Sequence, residues 1–275
     1  MNIFLTGGTG FVGKRFVKLA IKHGHKIFAI SRKKNKNKKN IKWLIGELDK
    51  SWPNYFKKTD ILVHLAAAGV DKNTNSQEII NTNLLKSSKL IMSAIQYGCK
   101  RFLIISSSSE YKQKLSKEFI ELSLKSKRDP DDIYGKSKVI FSNFCKMISK
   151  KKKVQVRLMR LFPVYGKGEK RNRLYPSLRK AALEGKNFTL NNPYETRDFT
   201  NVNYASRVIL DAINFKKKRF KYFQTFHISQ KHTSTIKDFA IINWKKFKAK
   251  GRIFFKGNKN NLFQHISDNA SLWKM

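Results

Sequence analysis

Tyr134 and Lys138 stand four residues apart, a spacing that puts two side chains on one face of a helix. A free phenol with a pKa of about 10 is a poor base at neutral pH, but a nearby ammonium favours its phenolate. Such a pair can take a proton from a hydroxyl group as hydride departs, or protonate an alkoxide in the reverse direction. Ordinary amphipathic helices also carry a Tyr and a Lys at this spacing, so the surrounding elements decide what the pair is for.

Those elements begin at the start of the chain. Asn2-Ile3-Phe4-Leu5-Thr6 is a short apolar run that ends in Gly7-Gly8-Thr9-Gly10-Phe11-Val12-Gly13. Phe16, Val17, Leu19, Ala20 and Ile21 then recur at helical spacing as far as His23-Gly24, and Lys26-Ile27-Phe28-Ala29-Ile30 is a second β-like run. The order predicts strand, glycine turn, helix, strand: one βαβ unit. In that setting Gly7, Gly10 and Gly13 permit a tight turn, close approach of the backbone to a pyrophosphate, and close helix–strand packing. The phosphates then sit at the helix N-terminus. The pattern predicts a bound dinucleotide, whose oxidised nicotinamide ring would add positive charge beside the Tyr134 phenol.

The end of the second strand bears on which dinucleotide. An acid there bonds the adenosine ribose 2′-hydroxyl of NAD, whereas an arginine accommodates the 2′-phosphate of NADP. Here the strand runs into Ser31-Arg32-Lys33-Lys34, and no acidic residue occurs between Lys26 and Gly46. A guanidinium at Arg32 can pair bidentately with a phosphate. The expected cofactor is NADP, with NAD as the alternative.

Further segments follow in a telling order: Gly46-Glu47-Leu48-Asp49, Asp60-Ile61-Leu62-Val63-His64-Leu65-Ala66-Ala67, and Asn83-Leu84-Leu85. After them come Ser106-Ser107-Ser108-Ser109-Glu110-Tyr111, Tyr134-Gly135-Lys136-Ser137-Lys138, Arg160-Leu161-Phe162-Pro163-Val164-Tyr165-Gly166, and Arg197-Asp198-Phe199-Thr200-Asn201-Val202. With the glycine turn, from Asn2 to about Trp273, the chain resembles the extended short-chain dehydrogenase/reductase family, in its branch of nucleotide-sugar epimerases, dehydratases and reductases. The resemblance implies that Phe11 and Val12 join the glycines at the cofactor. It also implies that Glu47 and Leu48 hold the adenine, with Glu where Asp is usual. Leu65, Ala66 and Ala67 would pass under the cofactor, and Asn83, Tyr134 and Lys138 would also touch it. Ser107, four residues before Tyr111, is the implied hydroxyl partner of the substrate oxygen and donates to a developing oxyanion; Ser108 competes for that role. Arg197 matches the arginine that grips the substrate diphosphate.

The same resemblance separates branches. Dehydratases carry an acidic pair just after the hydroxyl residue, where this chain has Ser108 and Ser109. Glu110 comes one place too late and, by strand alternation, on the other face from Ser109, so dehydration is disfavoured. Pro163 replaces an Asn that touches substrate in many relatives, and Asn203 replaces an Asp, so both alter the expected sugar pocket. Relatives continue past Trp273-Lys274-Met275, which makes the expected substrate lobe small. His64 ends an apolar strand with no ligand-spaced partner and reads as a packed histidine, and no metal site is expected.

Composition sets the outer limits. The chain has 275 residues, 59 Lys plus Arg against 18 Asp plus Glu, and a formal net charge of +41. At 40% hydrophobic residues it can build a core. It has no apolar run of about 18 residues for a membrane span and no secretory leader pattern at its start. Cys99 and Cys145 have no ligand or framework spacing. The lysine runs Lys33 to Lys39, Lys150 to Lys153 and Lys216 to Arg219 fall between apolar segments, without clustered Arg or aromatic platforms, so a solvated surface is expected over a nucleic-acid site.

The expected architecture is an α/β doubly wound parallel sheet of the Rossmann type over residues 1–165. A small mixed α/β substrate lobe follows over 166–275, with some of its segments returning to the main domain. The expected activity is NADPH-dependent reduction of a 4-keto-6-deoxy nucleotide sugar in the cytoplasm. The alternatives are a 4-epimerase holding NAD tightly and, from another class, a non-catalytic NADP-binding regulator, against which the Tyr134–Lys138 pair argues. The expected partners are a nucleotide-diphosphate sugar and a second copy of the chain. The resemblance suggests polysaccharide biosynthesis as the setting.

Overall fold

Strand β1 (Asn2–Thr6) buries nearly every side chain, as a strand in the middle of a parallel sheet must when helices cover both faces. The glycine turn leads into α1 (Phe11–Lys22), then β2 (Lys26–Ser31), β3 (Ile41–Ile45), α2 (Pro53–Phe56) and β4 (Ile61–His64). Next come α3 (Ser76–Ile80), a π-helical turn over Asn81–Lys86, α4 (Ser87–Gln96) and β5 (Arg101–Ser107). Two short strands, β6 (Leu115–Ser116) and β7 (Ile120–Leu122), precede α5 (Ile133–Lys151) and β8 (Gln155–Leu161). The rest of the chain forms β9 (Val164–Tyr165), α6 (Leu174–Leu183), β10 (Phe188–Asn191), β11 (Thr196–Asp198), β12 (Thr200–Asn201) and α7 (Val202–Ala212). It ends with β13 (Phe223–Ile228), β14 (Thr233–Thr235), α8 (Ile236–Lys246), β15 (Ile253–Lys256) and β16 (Leu262–Ser267). This computed structural model describes residues 1–70, 74–112, 115–116, 120–215, 222–257 and 262–274; the lysine run at 216–219 lies outside them.

The main sheet has seven parallel strands in the order β13-β8-β5-β4-β1-β2-β3. The chain leaves β1 towards β2 and β3, then resumes on its other side with β4. This opens a crevice beyond the carboxyl ends of β1 and β4, where doubly wound sheets bind ligands. One face is packed by Phe16 and Ala20 of α1 with Ala205, Val208, Ile209 and Ala212 of α7. The other carries Leu90, Ile91 and Ala94 of α4 with Phe141, Cys145 and Ile148 of α5. β13 forms the sheet's outer strand beside β8 although it comes after much of the lobe in sequence.

The lobe is built from smaller sheets: β14-β11-β16-β6, with β7 also on β16, and the pairs β10-β15 and β9-β12. Its core gathers Leu178, Leu190, Phe199, Phe239, Ala240 and Trp244, with the Phe199 and Phe239 rings stacked at 4.0 Å. No helix among the described residues is long and apolar enough to cross a membrane.

Candidate active site

At the end of β1, Gly7 adopts φ +71, a conformation that costs an L side chain dearly. A Cβ on Gly7 would stand 2.6 Å from the backbone N of Ala66, and one on Gly13 would run into the Gly7 carbonyl oxygen. The Gly10 amide bonds the Gly7 carbonyl at 3.0 Å, and Gly10 begins α1 with no side-chain cap and no acid in the first turn. The first-turn amides, among them those of Phe11 and Val12, thus form a cradle with a positive helix end, free of side-chain obstruction. These residues fit a pyrophosphate.

The loop after β4 ties this cradle to the proton-moving pair. Its Leu65–Ala66 backbone lies against Gly7, and a Cβ on Gly69, at φ +82, would sit 3.1 Å from Cδ2 of Tyr134. Four residues of chain separate the two contacts, so they lie within about 14 Å of each other. Ala66 donates its N–H to Thr6 Oγ1 at 3.2 Å, and the same hydroxyl bonds His64 Nδ1 at 2.8 Å. Burial lowers the His64 pKa to about 3, so the ring is a neutral packing group under the loop, together with the half-buried Leu65, Ala66 and Ala67.

Asn83 sits on the π-helical turn and is almost fully buried. Its carboxamide accepts from Ala68 N at 2.8 Å and donates to Ala68 O at 3.0 Å and Ser137 Oγ at 3.1 Å. Asn83 thus clamps the loop to α5.

Helix α5 begins at an Asp132 cap that accepts from Gly135 N at 2.8 Å. Gly135 leaves no room for a Cβ against the Ser109 carbonyl, so the serine turn lies directly on the helix start. Ser107 accordingly comes close enough to Tyr134 for its hydroxyl to favour the phenolate. The Ser107 hydroxyl also donates to Ser109 Oγ at 3.0 Å and accepts from Ser109 N at 3.1 Å, while Ser108 is half-buried on the turn. The Lys138 ammonium lies 5.7 Å from the Tyr134 ring centre. Burial pushes the Tyr134 phenol up to about 12, against the opposing effect of the Ser107 hydroxyl, and brings Lys138 down to about 8. The expected bias towards phenolate is thus outweighed by desolvation in the protein alone.

Ser31 and Arg32, expected at the adenosine end of the cofactor, lie at the end of β2. The Ser31 hydroxyl is taken up by Lys33 O at 2.8 Å, Lys33 N and Asn35 Nδ2. Arg32 lines a depression of about 320 Å³ with Glu47, Glu78 and Lys86, and Glu47 and Lys86 form an ion pair at 2.9 Å. Two bases and two acids thus line this depression, with Glu47 held by Lys86. Leu48 packs, partly buried, against the core under the sheet.

In the lobe, Arg197 and Pro163 line a cavity of about 190 Å³ with Tyr165, Glu169, Arg173 and Phe199. Arg197 is bound to Glu195 at 3.0 Å and Arg173 to Glu169 at 3.6 Å, and neither carboxylate partner was foreseen. Asn203 lies at the surface, hydrogen-bonded to Arg15.

Comparison with known proteins accords with this geometry. Residues 3–222 match the model of the NAD dependent epimerase/dehydratase family. The chain belongs to that family. A UDP-N-acetyl-alpha-D-glucosaminuronate decarboxylase of Bacillus cytotoxicus is 27% identical over 236 residues, 77% of this chain and 71% of that protein. A UDP-glucose 4-epimerase of Vibrio cholerae is 28% identical over 195 residues, 67% of this chain and 57% of that protein. A shorter match, 33% over 89 residues, covers 30% of this chain and 27% of a Dictyostelium discoideum sterol-4-alpha-carboxylate 3-dehydrogenase, decarboxylating. Among solved structures, the UDP-glucuronic acid 4-epimerase of Bacillus cereus, in complex with UDP-glucuronic acid and NAD, superposes with a TM-score of 0.84. It is 20% identical, and the match covers 98% of this chain and 91% of that one, which shows the shared doubly wound fold.

Proposed function

We propose that this member of the family is a nucleotide-sugar 4-epimerase that works with NAD. The observation that carries the reading is the placing of Tyr134 between the Ser107 hydroxyl and the Lys138 ammonium, joined by the 65–69 loop to the glycine cradle. When bound, NAD accepts hydride from a sugar carbon and returns it. Tyr134 takes the proton of the C4 hydroxyl as that hydride leaves, and gives it back when the carbonyl is reduced on its other face. Ser107 donates to the sugar oxygen as negative charge develops there. Lys138 supplies a positive charge beside the phenol, and Arg197 binds the diphosphate after parting from Glu195. The relatives named for UDP-sugar 4-epimerisation support this reading over keto-sugar reduction, and the NAD bound in the complex of the Bacillus cereus epimerase supports NAD over NADP.

A second reading, NADPH-dependent reduction of a 4-keto nucleotide sugar, keeps one observation in its favour: Arg32 closes β2 with no acid nearby in sequence. We carry forward the division at residue 165, with α7 and β13 assigned to the main sheet, and a cytoplasmic setting suited to nucleotide sugars. A second copy of the chain would cover the exposed Met92, Ile140 and Met147 on α4 and α5.

The test pairs NAD and NADP titration with product analysis. UDP-glucose, UDP-glucuronate and UDP-N-acetylglucosamine are incubated with enzyme and NAD, and C4 epimers are separated. Epimer formation without added reductant supports the proposal. Consumption of NADPH by a 4-keto nucleotide sugar, with no epimer from any of the three, overturns it in favour of reduction.

A further inference from the structure

The carboxylate of Glu110 is wholly buried at the turn after β5, and the reaction above does not use it. Its Oε1 accepts from Ser106 Oγ and from Ser142 Oγ, the latter at 2.5 Å. Its Oε2 accepts from Arg160 Nε at 2.9 Å and Arg128 Nη1 at 3.3 Å. Two of these partners have meaningful places. Ser106 is the residue before Ser107, at the end of β5. Ser142 follows Tyr134 and Lys138 at the same four-residue interval along α5, so all three share one stripe of the helix. One carboxylate therefore spans the strand that presents Ser107 and the helix face that presents Tyr134 and Lys138.

The far side of Glu110 is anchored as well. Arg160 stands opposite Ser106 in the β5–β8 register and donates from Nη1 to Tyr111 Oη at 2.7 Å. Tyr111 Oη pairs with His227 Nε2 at 2.5 Å, and His227 Nδ1 with Ser267 Oγ at 2.8 Å. A buried, interlinked polar network of this kind holds one geometry more tightly than apolar packing does.

We propose that Glu110 is a positioning residue whose carboxylate ties Ser106 on β5 to Ser142 on α5, and so holds the Ser107 hydroxyl in register with Tyr134 and Lys138. The inference rests on the reading of those three residues as the catalytic group. Glu110 also contributes charge. It acts on Lys138 together with Cys145 of α5, and His64 from β4 stands close as a neutral ring; on Tyr134 it acts alongside Asp132 and Ser107. Arg160 and Arg128 face the carboxylate itself.

The experiment follows reduction of enzyme-bound NAD on mixing with UDP-glucose, UDP-glucuronate or UDP-N-acetylglucosamine, in wild type and in Tyr134→Phe, Ser142→Ala, Ser142→Thr and Glu110→Gln. With Ser142→Ala the rate constant should fall about tenfold at unchanged KM and unchanged NAD affinity, and Ser142→Thr, which keeps the hydroxyl, should restore it. Glu110→Gln should slow the step and move its pH profile towards acid by about half a pH unit, since a negative charge near Tyr134 and Lys138 is gone. Where Glu110→Gln does not fold, the Ser142 pair decides. Wild-type rates in Ser142→Ala, or an unmoved profile in folded Glu110→Gln, overturn the inference while Tyr134→Phe remains inactive. If none of the three sugars reduces NAD, or Tyr134→Phe matches wild type, the catalytic reading itself falls and takes this inference with it.

Discussion

The Lys138 ammonium lies 5.7 Å from the centre of the Tyr134 ring, one helical turn further along α5. With Tyr134 near 12 and Lys138 near 8, the phenol is neutral and the amine charged at pH 7. Burial alone thus keeps the phenol protonated, and a positive charge beside it would favour its ionisation. Tyr134→Phe should therefore reduce turnover by about 10²–10⁴-fold while leaving NAD affinity within about twofold, as read by kinetics and by cofactor titration.

Burial of Lys138 carries a stability cost with a defined sign. Its folded pKa of about 8 lies below the ordinary 10.5, so between those values the unfolded chain binds the extra proton and stability rises with pH. Below pH 8 the penalty is full, about 3 kcal/mol. Lys138→Met should abolish activity yet raise the melting temperature at pH 7 by several degrees. A lower melting temperature would show that the charge is better compensated than its burial indicates.

His64 sets an acid limit in the same way. Its folded pKa of about 3 lies below the ordinary 6.5, so its contribution is complete above pH 6.5 and is lost as pH falls towards 3. The loss reaches about 5 kcal/mol at the extreme. Replacing His64 by Asn should move the midpoint of acid unfolding to lower pH, measured by circular dichroism between pH 7 and 3.

Gly13→Ala places a methyl group against the Gly7 carbonyl, with backbone on both sides of the contact and no flexible side chain to yield. The turn must open, and NAD affinity should fall at least about a hundredfold, or roughly 3 kcal/mol. Isothermal titration with NAD checks this. Gly24→Ala, with no neighbour around its Cβ, is the control for conformational strain alone.

In the proposed function Arg197 binds the diphosphate, and Glu195, its ion-pair partner at 3.0 Å, competes for the same guanidinium. Glu195→Gln should lower KM for a nucleotide sugar several-fold, and Arg197→Ala should raise it about tenfold or more, both at little change in kcat. Initial-rate kinetics with the two variants measure the competition directly.

What the sequence showed was what local spacing encodes. The glycine turn, the Tyr134–Lys138 step and the serine strand end each lie within a few residues, and the β1–α1–β2 unit follows from its apolar periods. The clamp at Glu110 was not legible, because Arg160 is 50 residues away and a charge within the apolar run Gln155–Leu161 gives no hint of its partner. The lining around Arg32 was not legible for a related reason: Arg32 is read from β2, but Glu47 and Glu78 reach the same depression from other elements. Asn83 was found through its resemblance, yet only the bonds to Ala68 and Ser137 show that it serves the loop.

The late return of β13 to the main sheet has a consequence for how the chain can be divided. Cutting after residue 165 would strip β8 of its outer neighbour and expose a ladder of unpaired N–H and C=O groups along that edge. Such a fragment should self-associate. During synthesis the same edge stays open until residue 228 has emerged, so the ribosome-bound chain presents a sticky margin that only its own later segment can seal.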